Sequence, residues 1–412
     1  MKKFALCLTV LVLLLTAFGC AGGYGSPDEF APSGEFTEEP GEAPEESPEN
    51  LPAAGQLTAG AWSDLDNWSL WLDLLTQGPN GQGEFAPAYA ACQKGARFRF
   101  PVKVTRADRV LYEENGREIL APAADVEVKL LADGQEIFAA RTDAAGRAFL
   151  FADEIANVHR FRVQAGSGNR TSGAEALPGE EIVLVLPAAG DREEVLDLCL
   201  IVDTTGSMGD EISYLKAELL SVIEGIQSRC PNAAIRLSMI FYRDTSDENT
   251  SYLLRAFDFS RNVTAQREIL AVQGAGGGGD YPEAVERALQ EMLGLSWSPS
   301  ATRVAVHLLD APPHDKNLPA FFRAVEKAAA LGVRLLPVVS SGAEKDVEYL
   351  MRNAAIYTGS QYVFLTDDSG IGGEHLAPSV GDYTVEYLND LLVRVISDLH
   401  NGTRTPPAVR QA

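Results

Sequence analysis

The apolar run Leu196–Val202 ends at Asp203 and passes straight into Thr204-Thr205-Gly206-Ser207-Met208. It alternates too little for a half-exposed strand, which predicts a strand buried on both faces. Asp210 and Glu211 then open a helix with apolar residues at Ile212, Leu215, Leu219, Val222, Ile223 and Ile226, a single helical stripe. A buried strand feeding a turn and a helix puts Asp203, Thr205 and Ser207 at the carboxyl edge of a parallel sheet, where open α/β folds bind ligands. One carboxylate and two hydroxyls at alternate positions offer hard oxygens to a hard cation, magnesium above all. The plain alternative is that Asp, Thr and Ser only cap the helix.

Strand patterns at 196–203, 234–242, 252–259, 303–311, 334–340 and 362–367 alternate with helical patterns at 210–228, 264–273, 283–294, 318–331, 344–356 and 384–400. That alternation predicts a parallel sheet with helices on both faces over 189–402. The preceding region, 96–188, reads differently. Short runs such as Phe98-Phe100-Val102-Val104 and Val126-Val128-Leu130 are separated by Asn115-Gly116, Asp133-Gly134, Ala145-Gly146 and Pro178-Gly179, the pattern of a β-sandwich. Within it, Thr142-Asp143-Ala144-Ala145-Gly146-Arg147-Ala148-Phe149-Leu150 resembles the signature of carboxypeptidase-regulatory-like or transthyretin-like sandwiches, which implies a spacer or adhesive module. Residues 56–95 carry Trp62, Leu65, Trp68, Leu72 and Leu75 at helical spacing and are expected to form a helical segment packed on the sandwich. Residues 403–412 read as a disordered tail.

Two further loops belong with Asp203. Gly274-Ala275-Gly276-Gly277-Gly278-Gly279-Asp280-Tyr281-Pro282-Glu283 satisfies G-x-G-x-x-G, but a helical pattern rather than a strand precedes it, and it carries no base for phosphate. A nucleotide site is therefore excluded, and the glycines are read as allowing close approach of another loop, with Asp280 presented before a helix. The run Val304–Leu309 ends at Asp310-Ala311-Pro312-Pro313. Asp203, Asp280 and Asp310 would then crowd one sheet edge, where a cation or protonation must offset them. Asp244, after the second strand, is read as a loop residue, and His314 and Asp315 as rim residues. With no Cys or second His at ligand spacing, zinc is not expected.

Asp203-Thr204-Thr205-Gly206-Ser207 resembles the D-x-[ST]-x-S motif of von Willebrand factor type A domains, and the glycine-rich and Asp310 loops follow in the matching order. The resemblance implies a Rossmann-like, doubly wound fold and a metal-ion-dependent adhesion site. Asp203, Thr205, Ser207 and Asp310 would be its metal residues, for Mg²⁺ or else Mn²⁺ or Ca²⁺. Where many members have Thr in the second loop this chain has Asp280, which would add a third carboxylate to the ion. Tyr242-Arg243-Asp244, the Gly-Gly-Gly-Asp-x-Pro-Glu-Ala loop and Asp310-Ala311-Pro312 resemble the subgroup found beside α-kinases, of which only the binding module is implied here.

Met1-Lys2-Lys3 and the apolar run to Phe18 read as a secretory leader over 1–19. Ala17-Phe18-Gly19-Cys20 resembles a bacterial lipobox, which implies lipidation at Cys20 and anchoring to the cell membrane, at the outer face or on the periplasmic side. Residues 20–55 are Pro-, Gly- and Glu-rich without Lys or Arg, the composition of a disordered stalk. A formal charge of −24 argues against nucleic acid or an anionic lipid surface as partner. Of five cysteines, Cys92, Cys199 and Cys230 would remain in the mature chain, too few for a disulfide framework.

The chain is thus expected to be multidomain, an all-β sandwich followed by the α/β domain, and to be a surface-tethered lipoprotein rather than an enzyme. It would bind a protein ligand that presents a carboxylate to the metal. The alternatives are a metal-free envelope scaffold with Asp280 blocking the site, or a metal-assisted hydrolase. Ser207 lacks an evident His partner for the latter.

Overall fold

The computed structural model describes residues 52–78, 81–249 and 251–408. The leader, Cys20 and most of the acidic stalk lie outside the described residues. The described chain opens with β1 (Thr58–Trp62), α1 (Trp68–Leu75), the two-residue strands β2 (Gln77–Gly78) and β3 (Gly81–Gln82), and α2 (Ala86–Cys92).

Eight strands follow: β4 (Phe98–Glu114), β5 (Arg117–Pro122), β6 (Glu127–Ala132), β7 (Gln135–Arg141), β8 (Arg147–Ala152), β9 (Phe161–Ser167), β10 (Arg170–Ala176) and β11 (Ile182–Leu186). They form one sheet in the order β10-β9-β6-β7 and another in the order β11-β4-β5, with β8 also on β4. The two-residue turn signals do their work through left-handed backbone: Asn115 and Gly116 have φ of 51° and 75°, Asp133 and Gly134 of 48° and 87°. Positive φ at both central residues suits the twist of a tight hairpin. Phe100, Val102, Val104, Val128, Leu130 and Val163 are buried at alternate positions, as the period-two pattern requires.

The α/β part comprises β12 (Val195–Asp203), α3 (Ile212–Arg229), β13 (Ala234–Tyr242), β14 (Leu254–Ser260), α4 (Val263–Ala271), α5 (Val285–Gly294), β15 (Thr302–Leu309), α6 (Leu318–Leu331), β16 (Val333–Val339), α7 (Lys345–Thr358), β17 (Tyr362–Leu365), β18 (Glu386–Tyr387) and α8 (Leu388–Asn401). Its eight-stranded sheet runs β14-β13-β12-β15-β16-β17-β1-β18. The five strands from β13 to β17 pair in parallel, while β14, β1 and β18 are antiparallel. Every residue of β12 is buried, because helices cover both faces. Leu198, Leu200 and Val202 pack with residues of α3 and α8, while Cys199 and Ile201 share a core with residues of α5, α6 and α7.

That second core does not stop at the α/β part. Phe138 of β7 and Phe151 of β8 meet Tyr357 of α7 at centroid distances of 5.6 and 5.2 Å, and Phe322 of α6 joins them. One continuous apolar interior therefore joins the two smaller sheets to the large sheet.

The tryptophan-rich segment differs from its sequence reading. Only Trp68–Leu75 of the apparent helical stripe is helix, and Trp62 ends a strand. β1 pairs antiparallel with both β17 and β18, so this segment completes the large sheet. Trp71, fully buried, stacks on Tyr349 of α7 at 6.0 Å and donates from Nε1 to the carbonyl of Ala96 at 2.7 Å. Residues 403–408 are tied down as well: Asp398 accepts from the Thr403 and Thr405 hydroxyls and from the Thr405 N–H. Cys92, Cys199 and Cys230 are free thiols.

Candidate functional site

Asp203 is the last residue of β12 and has no exposed surface. Its Oδ1 accepts the Thr205 N–H at 2.9 Å and the Thr205 hydroxyl at 2.7 Å. Thr205 Oγ1 lies 3.3 Å from Ser207 Oγ, so the three residues form one line of oxygens at the strand end. A 3-10 turn over Gly206–Asp210 follows, and neither it nor α3 receives a side-chain cap hydrogen bond. Simple capping thus fails to account for Asp203, Thr205 and Ser207.

The glycine-rich loop lies directly on this turn. Gly206 N–H donates to the Gly277 carbonyl and Gly276 N–H to the Thr204 carbonyl, at 3.1 and 3.0 Å. Gly278 N–H donates to Asp247 Oδ2 at 2.8 Å. At Gly277, where φ is +76°, a Cβ would sit 2.3 Å from Asp247 Oδ1, which makes glycine obligatory there. The loop thereby brings buried Asp247 towards the Asp203 turn, and neither the loop nor the turn could close if Gly277 carried a side chain.

Asp310 follows β15 on the neighbouring strand and is also buried. Glu283, buried just ahead of α5, is fixed by its N–H donating to the Pro312 carbonyl at 2.9 Å. Burial first, and then the charge of Asp310, push the Asp203 carboxyl up to about 7. Burial and then Asp203 push Glu283 up to about 10, with Asp244, Asp310 and Asp247 adding to the effect. Asp203 Oδ2 and Glu283 Oε2 are buried and have no hydrogen-bond partner. An oxygen taken from water without a partner costs about 1–3 kcal/mol or more when charged. A divalent ion or a proton relieves that cost, and an all-oxygen set of this kind suits Mg²⁺, Mn²⁺ or Ca²⁺.

Of the residues read from sequence, Asp203, Thr205 and Ser207 are hydrogen-bonded together and Asp310 adds its charge to Asp203. Asp280 closes the glycine-rich loop that lies on the Asp203 turn. It is exposed, and a carboxylate oxygen of it lies within 4.8 Å of ligand atoms of Asp244 and His314. His314 Nε2 is 2.7 Å from Asp244 Oδ1. Burial opposes ionisation of Asp244, yet hydrogen bonds from His314 and from the Ser246 N–H hold it at about 2. Glu283 and Asp247 were not singled out in the sequence. The signal for Glu283 was its place in Asp-Tyr-Pro-Glu, where the proline turns the chain inward, whereas nothing local marked Asp247. Beneath the carboxylates His307 Nε2 lies 3.2 Å from the Tyr242 hydroxyl, and burial drives that imidazole down to about 3, so it stays neutral.

Residues 197–370 match the family model of the von Willebrand factor A domain. Over those residues the chain is similar to a von Willebrand factor A domain. The chain is 33% identical over 135 residues to alpha-protein kinase vwkA of Dictyostelium discoideum, a match covering 33% of this chain and 21% of that protein. It is 30% identical over 131 residues to the ariadne-like RING finger protein R811 of Acanthamoeba polyphaga mimivirus, covering 31% of this chain and 12% of that one. The chain thus spans only a minor part of the length of either relative. Among solved structures, the pilus adhesin SpaC of Lactobacillus rhamnosus GG in its open conformation aligns over 70% of this chain and 34% of its own. That alignment has a TM-score of 0.37 at 10% identity, too loose to bear on function.

Proposed function

We propose that the A domain binds a partner protein through a divalent cation held by Asp203, Thr205, Ser207 and Asp310. The observation that carries this reading is the buried Asp203 carboxylate, crowded by Asp310 and Glu283 with no Lys or Arg paired to it among the described residues. The ion would be Mg²⁺, or Mn²⁺ or Ca²⁺. It would supply a positive centre to which a partner's carboxylate can be attracted, while the loops around Gly277 and Asp310 position the protein oxygens.

Binding rather than catalysis is favoured by the environment of Ser207. Its hydroxyl faces Thr205, and the nearby imidazoles His307 and His314 are engaged by Tyr242 and Asp244. A nucleophile–base pair is what a hydrolase would require. Tethering through a lipid at Cys20, with the stalk lifting the sandwich and A domain from a bacterial membrane, completes the proposal. Among the described residues no helix is long and apolar enough to cross a membrane.

Calorimetric titration of Mg²⁺ into the protein tests the site. Wild type should bind saturably and Asp203→Asn should lose most of the heat while keeping its circular dichroism. Equal binding by both proteins would overturn the assignment. Partner capture that persists in excess EDTA would favour the metal-free scaffold instead.

A further inference from the structure

Three separate loops deliver Asp244, Asp280 and His314 to one place at the same sheet edge. Asp244 lies two residues beyond β13, Asp280 closes the glycine-rich loop, and His314 follows the prolines after β15. One ligand atom from each lies within 4.8 Å of the others. Asp244 is positioned by its own turn, Oδ2 accepting the Ser246 N–H at 3.0 Å while Oδ1 meets His314 Nε2 at 2.7 Å. Among the described residues neither carboxylate is paired with Lys or Arg.

A second observation points to the same spot. Glu286, in the first turn of α5, is 3% exposed and its Oε2 has no hydrogen-bond partner, while Oε1 accepts from Asn317 Nδ2 at 2.8 Å. Its carboxyl lies within the electrostatic reach of both His314 and Asp244. A buried carboxylate oxygen without a partner, in the field of an Asp–His pair, adds negative charge that a cation at that pair would offset.

We infer that Asp244, Asp280 and His314 form a second cation site, beside the Asp203–Asp310 site, that takes a divalent transition ion through one imidazole and two carboxylates. The chemistry differs from that of the first site. An imidazole nitrogen favours Mn²⁺, Co²⁺ or Zn²⁺ over Mg²⁺, which prefers oxygen alone. Three protein ligands leave positions for water or for a partner's side chain. Asp280, exposed at the end of the glycine-rich loop, is the ligand nearest solvent.

The test is Mn²⁺ binding to the whole protein, with stoichiometry from calorimetry and with electron spin echo modulation from ¹⁴N as the signature of imidazole coordination. Wild type should bind two equivalents and show nitrogen modulation. Asp203→Asn should retain one equivalent with the modulation. His314→Gln should retain one equivalent without it, and the exposed change Asp280→Asn should weaken the nitrogen-bearing site at least tenfold without disturbing the fold. One equivalent in wild type, lost in Asp203→Asn and never showing nitrogen modulation, would overturn this inference and leave the first site standing. One equivalent with nitrogen modulation, kept in Asp203→Asn and lost in His314→Gln, would support it and remove the first site instead.

Discussion

At the scale of residues, the sheet edge is governed by buried carboxylates that hinder one another's ionisation. Asp203 is held at about 7 by burial and by Asp310. Folding therefore retains a proton that the unfolded chain releases near 4, and the contribution of Asp203 to stability is lost as pH rises from about 4 through 7. Asparagine keeps the acceptor for Thr205 and cannot ionise. In EDTA, wild type should lose melting temperature relative to Asp203→Asn between pH 5 and 8. Added Mg²⁺ should raise the wild-type midpoint more at pH 8 than at pH 5, because protons and metal compete for one carboxylate. Calorimetry in buffers of different ionisation enthalpy should also detect proton release on Mg²⁺ binding at pH 7, with Glu283, pushed up to about 10, as a further source. A Mg²⁺ effect that is independent of pH would contradict this account.

At the scale of elements, much was legible because it is local. The second strand runs over Ala234–Tyr242 and α6 over Leu318–Leu331, as their periodicity predicts. Asp203 and Asp310 could be placed because a buried run that stops at an Asp fixes the sheet edge. Long-range pairing was not legible. Trp62 shares helical spacing with Trp68 only by coincidence, since Ser63–Asn67 turns the chain between strand and helix. Nothing in Thr58–Trp62 announces that it will pair with Tyr362–Leu365, some three hundred residues on. Asp247 and Glu283 reach the site through loop–loop contact, which a linear pattern does not encode. The segment's packing carries its own expectations. Trp71→Ala should cost about 3–5 kcal/mol, the range for truncating a buried aromatic. Arg352, fully buried, pairs with Asp64 and Glu348. Asp64→Asn should cost about 3–5 kcal/mol as well, because it leaves a buried charge short of its partner. Denaturant unfolding reads both, and a loss below 1 kcal/mol for either would remove the segment from the α/β core.

At the scale of the whole molecule, the two small β-sheets and the α/β part are not beads on a string. Phe138, Phe151, Phe322 and Tyr357 place aromatic rings from both parts in one interior, and Arg303 on β15 forms an ion pair with Asp125, just ahead of β6, at 3.0 Å. Shared apolar burial couples unfolding of the two parts. Scanning calorimetry of the protein should show a single main transition, and Tyr357→Ala should lower it as a whole. Two resolved transitions, only one of them moved by that substitution, would mean that the parts fold separately.

The course of β1 has a mechanical consequence. Thr58 lies level with the end of β17, the same edge at which Asp203 and Asp310 stand, and the preceding backbone is gripped by Glu218, which accepts the N–H groups of Gly55, Gln56 and Leu57. A pull transmitted to this body through its amino-terminal side therefore draws β1 along its own length between two antiparallel neighbours. Its ladder is loaded in shear, all bonds sharing the tension at once, whereas a strand peeled sideways would surrender them one after another. A load applied at the opposite rim keeps that shear geometry, whereas a partner held at the metal edge would pull on the same rim as the start of β1 and turn the load towards peeling.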